Sequence, residues 1–72
     1  MSSDERLIYM ANQIGKFFAA QGEARAVEGI ATHLKRFWPP TMRNALIARL
    51  HAGAPGLGDL PRQAVERLAA DG

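Results

Sequence analysis

The sequence predicts an all-α domain, a small bundle of three to four short helices. Three observations carry that expectation. Apolar residues recur at three-and-four spacing in successive segments, no stretch alternates with the period of two that a half-buried strand needs, and the breaks fall at glycine and proline. With 72 residues the chain has room for one domain, 1–72, with a thin core.

In the first segment Leu7, Met10, Ala11, Ile14, Phe17 and Phe18 share a stripe, which places a helix at about 3–21. Ser2 or Ser3 suits its cap, Ser2 and Glu5 stand at capping-box spacing, and Asp4 and Glu5 complement the positive end of the dipole. Gly22 suits a left-handed stop. Tyr9 falls opposite the stripe, where its ring has no partner within the helix, and is a candidate for contact with another protein. A second helix, about 23–38, carries Val27, Ile30, Ala31, Leu34, Phe37 and Trp38 on one side, with Arg25, Gly29 and Arg36 on the other. Pro39 and Pro40 end it, since each restricts the residue before it and neither donates a helical hydrogen bond.

A third helix, about 41–51, follows the rigid corner and bears Met42, Leu46, Ile47 and Leu50. The glycine- and proline-rich stretch 53–59 reads as a mobile loop. Asp59 is suited to cap a short fourth helix, about 60–70, with Pro61 in its permissive first turn and Leu60, Ala64, Val65 and Leu68 on its apolar side. The expected core is Leu7, Ile14, Phe18, Val27, Ile30, Leu34, Met42, Leu46 and Leu50.

Composition narrows the function more by exclusion than by assignment. The chain has no cysteine, so disulfides, thiolate metal sites and thiol nucleophiles are closed to it. No apolar run approaches the roughly 18–20 residues that cross a bilayer. Met1-Ser2-Ser3-Asp4-Glu5 opens with acids where a signal peptide carries bases, so the expectation is a soluble, cytoplasmic protein without a membrane role. The formal charge is only +2, yet no acid lies between Glu28 and Asp59, where Lys35, Arg36, Arg43 and Arg49 occur with His33 and His51.

The chemistry of a catalytic or metal site is hard to assemble from these residues. The glycine-rich stretch lacks the lysine and hydroxyl of a phosphate-binding loop. Neither histidine has a carboxylate at three-or-four spacing, and the seven acids are scattered toward the two ends. Neither enzyme activity nor a metal site is expected. What stands out is the run from His33 to Arg43, where His33, Arg36, Phe37, Trp38 and Arg43 bring cations and aromatics together at a stiff corner, the composition of a protein interface. Phe37 and Trp38 serve either that interface or the core, and the two roles can coexist. Arg43 falls among Leu46, Ile47 and Leu50, either reaching out to water or pairing with an acidic group of a partner.

Met10-Ala11-Asn12-Gln13-Ile14, the pair Phe17-Phe18, the block His33-Leu34-Lys35-Arg36-Phe37-Trp38 and the block Pro40-Thr41-Met42-Arg43 together resemble the delta subunit of soluble NAD-dependent molybdenum- or tungsten-containing formate dehydrogenases. Pro39 and Thr41 depart from that family, which has an acidic and a basic residue there. The resemblance implies a non-catalytic accessory subunit whose partner is the catalytic alpha subunit. It implies no cofactor in this chain, and molybdopterin guanine dinucleotide, iron-sulfur clusters, FMN and NAD in the partner complex. It leaves open support of assembly, stability or cofactor loading, the last with Arg36 and Arg43 gripping phosphate. The alternative from the residues alone is a small basic helical nucleic-acid-binding module, disfavoured because four cations spread over two helices make no dense stripe.

Overall fold

The computed structural model describes residues 1–53 and 55–71. Four helices follow in chain order, α1 Ser3–Ala19, α2 Glu23–Phe37, α3 Pro40–His51 and α4 Asp59–Asp71, and no strand occurs among the described residues. The all-α bundle expected from residue spacing is the fold observed. α2 is its centre, packed against α1 and α4, while α3 crosses the open end to touch all three of the others.

Each helix end has a local cause. Ser2 Oγ accepts from the Glu5 backbone N–H at 3.1 Å and Glu5 Oε1 accepts from the Ser2 N–H at 2.9 Å, completing the expected capping box. α1 ends at Ala19, two residues before the expected position, because Gln21 and Gly22 donate to Phe18 and Ala19 in tighter i to i+3 turns. Gly22 does take a positive φ, but with ψ 148° it is the N-cap of α2 and not a left-handed stop of α1. Trp38 leaves the helix at φ −90° and ψ 135°, the extended shape that a following proline demands. The Pro39 carbonyl then accepts from the N–H groups of Met42 and Arg43, opening α3 with Pro40 in its first turn. At α4 the Gly58 carbonyl accepts the first helical bond, from Arg62, so Asp59 sits just inside the helix instead of capping it.

The core forms where α2 meets α4 and α1. Ile30, Leu34, Leu46 and Val65 are its largest fully buried side chains, joined by Ile8, Ala11, Ala26, Val27, Ala31, Trp38, Ala64 and Leu68. Of the expected core, Val27, Ile30, Leu34 and Leu46 are buried, while Leu7, Ile14, Phe18, Met42 and Leu50 are only half-buried around it. On α1 the buried axis runs through Ile8, Ala11 and Gly15, to one side of the predicted stripe, so Met10 and Phe17 point outward. Small residues explain the shift. A Cβ at Gly15 would stand 2.8 Å from Pro61 Cγ, so α1 and α4 approach across a bare backbone.

The loop expected to be mobile is tied to α1 over part of its length. Asn12 Nδ2 donates to the Gly56 carbonyl at 2.9 Å, and Asn12 Oδ1 accepts from the Gly58 N–H at 2.8 Å. Gly56 turns the chain at φ 90°, a conformation that other residues rarely adopt. Ala54, also within the predicted loop, lies outside the described residues. The basic middle of the sequence also divides in space: Arg49 lies 3.9 Å from Asp4, Arg36 is exposed, and Lys35 and Arg43 line a groove with Asp71. No single basic stripe results.

Asn12→Ala removes both bonds, one exposed and one part-buried, and should lower stability by about 1–2 kcal/mol, with faster amide exchange at Gly58; equal urea midpoints for variant and parent would refute the clamp. Gly15→Ala forces a methyl against the stiff Pro61 ring, and overpacking of about 1–3 kcal/mol should outweigh the gain of up to about 1 kcal/mol in helix propensity. A lowered thermal midpoint is expected. The Ser2 backbone N–H, then its hydroxyl, holds the Glu5 carboxyl below the ordinary glutamate value. A depressed carboxyl stabilises the fold above the unfolded-chain value and loses that contribution as pH falls through the folded one. Amide protection in the first turn of α1 should therefore fall on acidification below the ordinary glutamate range, and Glu5→Gln should remove that step.

Candidate protein-interaction surface

Consecutive residues leave a helix about 100° apart, so Phe17 and Phe18 cannot share one environment. Phe18 turns onto α2, where Gly29 admits its ring: a Cβ at that position would lie 2.6 Å from Phe18 Cδ1. Phe17 stands against it edge-to-face, with centroids 5.1 Å apart and planes at 89°. Phe18 next meets the His33 imidazole at 6.2 Å, and His33 meets Phe37, one turn further along α2, at 4.9 Å. Four rings thus form a continuous row across α1 and α2. Its two ends are open, Phe17 being 72% and Phe37 68% exposed.

The row continues into a second feature. Met10 and Phe17 are seven residues apart and project from the same side of α1, with half-buried Ile14 between them. Met10, with Leu7, also lines a groove of about 300 Å³ whose opposite wall is Met42 and Ala45 of α3. Row and groove thus share the outward apolar side of α1, between Leu7 and Phe17. Arg6 borders the groove and Arg36 borders Phe37, its guanidinium carbon 5.9 Å from that ring's centroid. A contiguous apolar surface rimmed by cations is the form of a protein-binding site.

The predicted contact residues divide between this surface and three other places. His33, Arg36 and Phe37 belong to it. Trp38 lies apart from it: at 7% exposure it is a core residue, turned inward by the extended backbone before Pro39. Arg43 is half-buried, with its Nε shielded from solvent and without a hydrogen-bond partner among the described residues. It lines the groove shared by Lys35, Leu68 and Asp71. Tyr9, 54% exposed, borders a different groove of about 400 Å³ between α1 and the start of α4. Residue spacing missed Phe17, Met10 and Met42 as surface members because it assigned all three to the apolar sides of their helices. The available signal was the excess width of the α1 stripe, six apolar positions where Ala11 and Gly15 already offer a close-packing seam.

A phosphate grip by Arg36 and Arg43 is not formed. Arg36 lies over Phe37, whereas Arg43 lines a groove of about 160 Å³ that Asp71 also borders. That volume is below the roughly 300 Å³ at which small-molecule pockets begin, and a carboxylate at its edge opposes an anion. Among the described residues no three of histidine, aspartate or glutamate come together as a metal site, and no helix is long and apolar enough to cross a membrane.

Comparison with known proteins adds a family. No curated protein and no solved structure matches the chain. Residues 6–65, which include the ring row, the proline corner and the first half of α4, match the NADH-dependent formate dehydrogenase delta subunit family, FdsD. The chain belongs to that family of formate dehydrogenase delta subunits.

Proposed function

We propose that this chain is a non-catalytic accessory subunit that binds the molybdopterin-bearing catalytic alpha subunit of an NAD-dependent formate dehydrogenase in the cytoplasm and supports its assembly or stability. The observation that carries the reading is the conjunction of family membership over residues 6–65 with the open ring row. Molybdopterin guanine dinucleotide, iron-sulfur clusters, FMN and the NAD site belong, on this reading, to the other subunits. This chain contributes surface, not chemistry. Phe37, Arg36 and His33 are its proposed contacts, while Tyr9 and Arg43, on other faces, are proposed as secondary ones.

Support of assembly is favoured over cofactor loading because Arg36 and Arg43 line no common groove. A small bundle of this size has a thin core of its own, and docking adds stability by mass action to whichever partner it binds. The benefit is mutual. Affinity capture of the tagged chain from its host should recover a large molybdoenzyme subunit in fixed ratio. Omitting the chain should lower the thermal midpoint or yield of that subunit while metal content per folded subunit stays unchanged. Stoichiometric capture of unrelated proteins would overturn the proposal, and a selective loss of metal would shift the role to cofactor loading.

A further inference from the structure

We infer that the ring row and the α1–α3 groove together receive an acidic amphipathic helix of the catalytic subunit, an assignment that rests on the accessory-subunit reading above. Length is the first support. From Leu7 to Phe17 the exposed and half-exposed apolar side chains of α1 cover about 15 Å at 1.5 Å per residue, enough for a docked helix whose anchors at i, i+3 or i+4, and i+7 cover about 10 Å. The groove beside Met10 and Met42 takes one anchor, and the open edges of Phe17 and Phe37 cover the next.

Charge supplies the second support. Arg6 and Arg36 rim the surface and make no ion pair among the described residues, where the paired cations are Arg49 and Arg62. Of the two acids at the near end of α1, Glu5 is engaged in the capping box, while Asp4 lines the groove near Arg6 with Arg49 3.9 Å away to offset its charge. Asp59 and Glu66 pair with Arg62, and Glu28 and Asp71 line a groove between α2 and α4. With Asp4 offset by Arg49, Arg6 and Arg36 leave the rim net positive, which a carboxylate-bearing segment complements. A second copy of this chain would bring Arg6 and Arg36 against themselves, so the same charges disfavour self-association through this face. Single-stranded nucleic acid would stack on free ring faces. Here the inner rings abut one another, and Leu7, Met10 and Met42 are apolar groups without polar reach.

The experiment uses the co-expressed complex. A photo-reactive benzoylphenylalanine at position 37 should crosslink to a peptide of the catalytic subunit that is helical and carries aspartate or glutamate between its apolar residues. Arg6→Glu with Arg36→Glu should weaken recovery of that subunit at least about tenfold at low salt, with the difference narrowing as salt rises. Arg67→Glu, on α4, should leave recovery unchanged. Phe17→Ser with Phe37→Ser, both exposed positions, should weaken it at least about tenfold at unchanged circular dichroism. Crosslinking to a second copy, to an acid-free peptide or to nucleic acid would overturn the inference, as would undiminished recovery of the charge-reversed chain. Failure of the parent chain to recover any formate dehydrogenase subunit would instead overturn the accessory-subunit reading.

Discussion

Two consecutive prolines decide more of this structure than any other local feature. Pro39 forbids Trp38 a helical backbone, and Pro40 does the same to Pro39, so the chain crosses from α2 to α3 through two extended residues. That crossing separates neighbours in sequence. Phe37, the last helical residue, stays on the outer side of α2, while Trp38 swings inward to close the core beneath the junction. The same corner starts α3 where Met42 can face α1 across a groove. An aromatic pair that composition alone treats as one patch thereby supplies one structural ring and one free ring.

The bundle is held by small residues as much as by large ones. Ala11, Gly15, Ala26, Ala31 and Ala64 are buried at the helix contacts, and at Gly15 the neighbouring helix comes within a distance that no methyl fits. Close approach raises the number of favourable contacts that short helices can make, and short helices have few to spare. It also moves the buried axis of α1 away from its bulkiest residues. Met10 and Phe17 are outward because alanine and glycine hold the inner seam.

The four helices were legible in the sequence because their apolar residues recur at helical spacing and their breaks coincide with glycine and proline. The end of α2 was read nearly to the residue, since a proline pair leaves little choice there. The orientation of α1 was less legible. Its six apolar positions exceed what one seam can bury, and hydrophobicity does not say which of them yield; the answer depends on Pro61, more than forty positions away in the chain. The surface was half legible for the same reason. His33, Arg36 and Phe37 lie close in sequence, but Phe17 and Phe18 join them through Gly29, whose importance is the absence of a side chain. Arg43 and Tyr9 stood out as unusual on their own helices, and the fold distributes them to separate faces.

The Asn12 clamp has a consequence for the order of events at the ribosome. Both of its bonds reach backbone groups 44 and 46 positions further on, and Gly15 meets Pro61 just beyond them. α1 can coil as soon as it emerges, since its capping box is local, but its seating awaits the translation of residues 56–61. Until then its apolar seam and its outward ring are both uncovered, and a nascent chain cannot display the finished surface. The seating of α1, and with it the placement of Phe17, thus follows the translation of residues 56–61.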